Sequence, residues 1–387
     1  MEIFEILSYM SIIFREPWLI VLIAFGTYAG LHVSSIPGLS CVMLMPLLVS
    51  FSFGWEQHSA WAVMIGVYAG SMFGESRSVK WALLGVLALA VCAPLLALIA
   101  KKFHAVDYLM LVLIALILSG RSIKSGLLGG SIGIFLGCIG VDGQTAITRF
   151  TFGIDYLNSG IDSLAAMIAL FCVSEVLIQL ADIKDSESLE AVESSKLSNL
   201  LIGGAFIPML TLGIPGNSVS AVLTSALMIQ GLKPGANFIS QTPDTFWLIV
   251  VSLFTAVIFM SIIRMTRLKA FIRKIIIRRE ILMPVILILA VIASFTIRNS
   301  LHDVVFVFVL GFIGYLLKRF DYNLEPVVFG IILTRLCEEH FRRGVMVSGG
   351  TVKALLGSVF KSYISIAILI LLAVVLVTRT EIYKRYK

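Results

Sequence analysis

The residues whose types and spacing could do chemistry are Gly213, Pro215, Gly216, Asn217 and Ser218. They lie inside LTLGIPGNSVSAVLTSALMIQGLKPG, residues 210–235. Pro215 has no N–H to donate and disfavours helical geometry at Ile214; glycines flank both. Asn217 and Ser218 offer N-cap chemistry to the apolar run 219–229, and Gly231 and Pro234 supply stop signals after it. The pattern predicts a helix, a break and a half-helix. In lipid a break strands backbone donors and acceptors, each costing several kcal/mol, so it survives only under protein cover or beside a watery cavity. A half-helix N-terminus aimed into such a cavity is an anion site. Asn and Ser side chains add acceptors for a cation and donors for a carboxylate, which a mere kink would not need. Many secondary transporters build substrate and ion sites from helices broken at this depth.

The elements that must position these residues are membrane helices. Of 387 residues, 59% are hydrophobic and 14% charged, against roughly 25% charged in a soluble domain. The longest polar stretch, 182–198, is too short to fold alone. It divides the chain into a first transmembrane half (1–181), an acidic linker loop (182–198) and a second transmembrane half (199–387). The expected fold is an all-α polytopic membrane protein, with about 10–12 transmembrane or re-entrant helices in two halves and Pro-Gly-broken helices within them. Runs 106–119, 126–140 and 326–336 are separate apolar segments, some of the chain's segments being too short to span alone, and 355–377 is the last crossing. Gly66 and Gly70 form a small-residue stripe for close helix packing.

The net charge of +7 fits cytoplasmic loops rather than nucleic acid binding. Residues 264–280 hold seven Lys or Arg before Glu280, and the tail holds Arg379, Lys384, Arg385 and Lys387, so both are expected in the cytoplasm. The pairs Lys101–Lys102 and Arg121–Lys124 are further candidates for that side. Whether 200–229 crosses or turns back depends on which face carries 182–198.

The break has an echo. Ile36-Pro37-Gly38-Leu39-Ser40 shares I-P-G-x-S with residues 214–218, nearly half the chain away, and both copies interrupt apolar runs. Pro37, Gly38 and Ser40 therefore join the candidate substrate- and ion-binding residues. Glu175 sits deep in an apolar run and is a candidate functional charge. Arg149 reads as a solvated loop cation, and Glu338 with Arg342, at i, i+4 spacing, as a structural ion pair. Cys41, Cys92, Cys138, Cys172 and Cys337 read as small buried hydrophobes, and the five histidines lack ligand spacing. No HExxH or paired intramembrane aspartates occur, and an enzyme is not expected.

The string GGAFIPMLTLGIPGNSVSAVLTSALMIQGLKPG at 203–235 resembles the large membrane subunit of the tripartite tricarboxylate transporters. Supporting matches are SIPGL at 35–39, Tyr68-Ala69-Gly70, RFTFGIDYLNSGID at 149–162, SEVL at 174–177 and the run 314–350. The resemblance implies a permease of the bacterial inner membrane that imports di- and tricarboxylates. It implies two partners, a small membrane subunit and a periplasmic solute-binding protein, and a coupling Na+ or H+ in place of any organic cofactor. It also implies two Pro-Gly breaks in each half. Here the first half keeps its first break and runs from Glu75 almost directly to Trp81, while the second half keeps only its second. A shortened, non-transporting relative that serves as a membrane scaffold stands as the alternative.

Overall fold

The computed structural model describes residues 15–36, 39–73, 79–181, 200, 202–265 and 279–385. The first half holds α1 (Pro17–Ser35), α2 (Cys41–Phe51), α3 (Gln57–Phe73), α4 (Val79–Ala100), α5 (Ala105–Ser119), α6 (Ile123–Gly137) and α7 (Ser163–Ala181). The second holds α8 (Ile202–Leu212), α9 (Ser218–Ile229), α10 (Pro243–Met265), α11 (Arg279–Arg298), α12 (Leu301–Arg319), α13 (Glu325–Val347) and α14 (Tyr363–Arg385). A small hairpin, β1 (Gly140–Val141) against β2 (Thr148–Arg149), stands between α6 and α7. The polytopic all-α expectation holds.

Among the described residues seven helices, α1, α4, α7, α10, α11, α12 and α14, are long and apolar enough to cross a membrane. The remaining apolar runs take other forms. The separate apolar segments 106–119 and 126–140 are α5 and α6, each too short alone and bent by 117° into a V. The turn is made by Gly120, where a Cβ would sit 2.4 Å from the Gly126 nitrogen, and by Ser122, which accepts the Ser125 N–H at 3.2 Å. The run expected to stop at 336 continues as α13 to Val347, its apolar first half buried and its charged second half continuing the same helix. The last crossing starts at Tyr363 rather than 355, after a short helix Val352–Ser358.

Glycine seams hold the bundle together. A Cβ on Gly66 or Gly70 would lie 2.7 or 2.2 Å from the carbonyls of Ile23 and Thr27, and one on Gly26 or Gly30 would meet α3 as closely. The stripe on α3 therefore does pack, against a matching stripe on α1. Gly133 with Gly330 joins α6 to α13, and Gly85 with Gly203 joins α4 to α8.

Pairings at the helix ends sort the ends into two faces. His58 near Glu16, and Gln57 bonded to Thr245 at 3.1 Å, put the starts of α1, α3 and α10 on one face. Lys318 on Glu175 brings the ends of α12 and α7 together at the other. Arg121 near Asp321 and Arg379 on the Leu118 carbonyl add the end of α5 and the tail. The flanks of 182–199 and 266–278 reach this second face too. Residues 200–242 therefore carry the chain across, from this basic face to the start of α10. Lys101–Lys102 and Arg121–Lys124 lie at opposite ends of α5. Residues 182–198, most of 264–280, Pro37 and Gly38 lie outside the described residues.

Candidate functional site

The break is built locally from its sequence. Gly213 ends α8 in the left-handed region (φ 72°, ψ 18°), which favours a residue without a Cβ. Its N–H donates to Met209 at 3.1 Å, and that of Ile214 donates to Pro208 at 3.3 Å. The chain then runs back along α8 until Gly216 lies against Ala205, whose Cα would be 2.9 Å from an added Cβ. The loop after α9 closes the other side: Gly231 (φ 78°) ends the helix, and the Gly235 N–H donates to the Leu210 carbonyl at 3.1 Å. The backbone groups freed by the break are thus largely bonded within the protein.

Asn217 is the N-cap of α9. Its Oδ1 accepts the Ser220 N–H at 2.7 Å, and the Ser220 hydroxyl accepts the N–H groups of Gly216 and Asn217, both at 2.9 Å. The Asn217 side chain also hydrogen-bonds Tyr68, which is fully buried in α3 with its ring edge-on to Phe206 at 5.2 Å. Cys41, the first residue of α2, is close enough to interact electrostatically with Tyr68 and shares a hydrogen bond with Ser71 one turn along α3. Ser40 caps α2, accepting the Met43 N–H at 3.3 Å. Both retained breaks therefore deliver a short helix whose N-terminus starts beside one stretch of α3. From that level α2 leads toward Gln57, and α9 leads to Gln230, which accepts the Trp61 indole N–H at 2.6 Å. The two positive helix ends sit at one depth and α2 packs against α9.

Gly216 and Ser40 are exposed, Asn217 is partly so, and Ser218 is buried. The Ser218 hydroxyl donates to the Glu325 carboxylate at 2.7 Å, so an internal anion already holds the group expected to serve a ligand. Glu325 opens α13. Its N–H donates to Asn323, whose amide reaches the Ser119 carbonyl at the end of α5 at 3.1 Å. The Glu325 carboxylate, at the start of α13 and bonded to the first residue of α9, sits where positive helix ends stabilise an anion.

The other sequence-read charges have partners of their own. Glu175 is held by Lys318 and by the Gln179 amide at 3.1 Å. Glu338 and Arg342 do not pair with each other. Glu338 takes both guanidinium nitrogens of Arg149, while Arg342 donates to Asp142 at 2.6 Å. Arg149 is therefore no solvated loop cation but the clamp between the β hairpin and α13. The Arg342 guanidinium, then the Thr145 hydroxyl, hold the Asp142 carboxyl well below the usual range. A π-helical stretch, Ile168–Val173, lets the Cys172 thiol reach the Met43 carbonyl of α2 at 2.6 Å.

Four contributors were not read as site residues from the sequence: Tyr68, Ser71, Glu325 and Cys41, the last read as a small buried hydrophobe and found half-buried. Tyr68 had a signal, a phenol in an apolar run just before Gly70. Glu325 had one too, a carboxylate directly preceding Pro326 at the mouth of a buried helix.

A model described as the tripartite tricarboxylate transporter TctA family matches residues 20–80, 78–201 and 182–329. An uncharacterized 52.8 kDa protein in the TAR-I ttuC′ 3′ region of Agrobacterium vitis is 25% identical over 444 residues, covering 86% of this chain and 87% of that relative. An uncharacterized protein in the TAR-II ttuC′ 3′ region of the same organism is 34% identical over 146 residues, 38% of this chain and 60% of the relative. No solved structure matches.

Proposed function

We propose, from the premise that the chain belongs to the tripartite tricarboxylate transporter TctA family, that it is a permease subunit importing di- or tricarboxylates by cation-coupled secondary transport. The observation that carries the reading is the meeting of two half-helix N-termini, capped by Ser40 and Asn217, beside Tyr68. Two positive helix ends at one level attract an anion of more than one charge better than either does alone. The Ser40 hydroxyl and the Asn217 amide are the groups a substrate carboxylate would reach. Ser218 and Glu325 suit the coupling Na+ or H+, because a cation there neutralises the Glu325 charge that would otherwise repel the substrate. In this reading the basic face lies in the cytoplasm of a bacterium, and the chain works with a small membrane subunit and a periplasmic solute-binding protein.

The test is uptake of labelled citrate and smaller dicarboxylates by proteoliposomes carrying all three components, with a Na+ or a proton gradient imposed. Gradient-dependent uptake, cut at least tenfold by Asn217→Ala, is expected. Absence of uptake with either gradient overturns the proposal.

A second reading has its own support. The family match is divided at 78–80 and 182–201, and the alignment to the TAR-I relative is longer than this chain. These are the places where one break per half is missing from the sequence. A shortened member could bind the partner subunits without flux. Co-purification with those subunits, with no uptake under either gradient, would establish that reading.

A further inference from the structure

A second group of polar side chains lies at the opposite face, at the starts of α1 and α3. The glycine seam sets these two helices side by side and in step. Their first residues are preceded by Glu16 and Glu56, and His58 follows in the first turn of α3. One ligand atom from each of Glu16, Glu56 and His58 lies within 4.8 Å of the other two. Glu16 stands at the N-cap of α1, but its carboxylate makes no cap bond. His58 Nδ1 is closed off from solvent, has no hydrogen-bond partner, and stands 3.7 Å from Glu16 Oε1.

That spacing is informative. An imidazole bonded directly to a carboxylate would close to about 2.7–2.9 Å. Two metal bonds of about 2.0–2.2 Å meeting at the tetrahedral angle separate their ligand atoms by roughly 3.4 Å. At 3.7 Å the orphaned nitrogen and the carboxylate are too far apart for a direct hydrogen bond and within a few tenths of an ångström of that ligand spacing. The donor set also selects the ion. One imidazole with two carboxylates suits Zn2+, whereas Ca2+ and Mg2+ take oxygen ligands almost throughout. Three protein ligands leave a position for water. Trp18 and Trp55, both exposed, flank the group as residues of a membrane–water interface do, so an aqueous ion has access.

We propose that Glu16, Glu56 and His58 form a zinc-class divalent-cation site that clamps the starts of α1 and α3. Bound metal ties α1 to α3, and through Gln57 and Thr245 to α10, at the face remote from the half-helix N-termini.

The experiment uses the full chain in detergent, stripped of metal and dialysed against Zn2+ or, separately, Mg2+. One Zn2+ per chain is expected, with no saturable Mg2+ uptake. Glu56→Gln and His58→Gln should each weaken Zn2+ binding at least tenfold. Glu16 and Glu56 are exposed and His58 is half-buried, so the variants should elute as the wild type does. As a second readout, Zn2+ should raise the wild-type melting temperature and leave that of Glu56→Gln unchanged. No saturable Zn2+ binding, or binding that survives intact in Glu16→Gln, Glu56→Gln and His58→Gln, overturns the proposal.

Discussion

Ser40 and Asn217 cap two helices that begin beside the same stretch of α3, and the two caps are built differently. Ser40 is exposed and makes one long bond, 3.3 Å to the Met43 N–H. Asn217 sits in a reciprocal box with Ser220, bonds Tyr68, and is backed by Gly216 against Ala205. The cause is a shift of one residue. In I-P-G-L-S the serine itself is the cap; in I-P-G-N-S the asparagine is, which moves Ser218 into the first turn and frees its hydroxyl for Glu325. The same five-residue pattern thus gives one loosely held helix end and one locked end. In a permease, the locked end would fix the geometry of the site and the loose one would be the part able to adjust.

The strongest way to break this comparison is at the locked end. Gly213→Val forces a β-branched residue to φ 72° and a Cβ to within 3.0 Å of the Pro234 carbonyl. The left-handed conformation alone costs about 1–2 kcal/mol, and the contact adds to it. Thermal unfolding in detergent should show a clear fall in melting temperature, and an unchanged melt would mean that the break is not held in this form. Next in size is the contrast between the caps. Asn217→Ala removes the Ser220 N–H acceptor and the Tyr68 partner, and should cost about 1–2 kcal/mol. Ser40→Ala should cost only a few tenths, because water replaces a long, exposed bond. Equal losses in chemical denaturation would erase the distinction drawn from the one-residue shift. Smaller again is Ser218→Ala, about 1 kcal/mol for one hydroxyl-to-carboxylate bond. In the uptake assay it should weaken the dependence on the coupling cation more than the apparent affinity for carboxylate. The reverse pattern would reassign Ser218 to the substrate.

What the sequence made legible here is what acts over a few residues. Pro215 and Gly213 break the helix, Asn217 restarts it and Gly231 stops it, each through its own backbone preference. Gly70 announced a close approach, but its partner carbonyl on Thr27 did not show, because an apolar run looks alike on every face. Tyr68, Ser71 and Glu325 become part of the site only through tertiary contact, and their local signals were weak. Arg149 and Glu338 are 189 residues apart, so nothing near either one marked the pair. The Glu338–Arg342 spacing invited the wrong partner: an i, i+4 pair is worth a few tenths of a kcal/mol and yields to a bidentate guanidinium. The V of α5 and α6 was missed for a related reason. Gly120 and Ser122 marked a turn but not its angle, which the packing of α6 on α13 sets.

One effect of a different kind lies away from both breaks and serves as their control. Asp142 is held below its ordinary value by Arg342 first, then by Thr145 and the Gln144 N–H. Its folded value lies under its unfolded one, so its contribution is complete above the ordinary aspartate value of about 3.9 and fades as pH falls through the lower folded value. Asp142→Asn should therefore lower the melting temperature at neutral pH, and its gap from the wild type should narrow as the pH falls below about 4. A gap constant down to pH 3 would mean that Asp142 contributes by shape rather than charge. The caps behave differently over the same range. Ser40 and Asn217 are neutral, so the difference between Ser40→Ala and Asn217→Ala should stay flat with pH. A pH-dependent difference would place an ionising group on one of the caps.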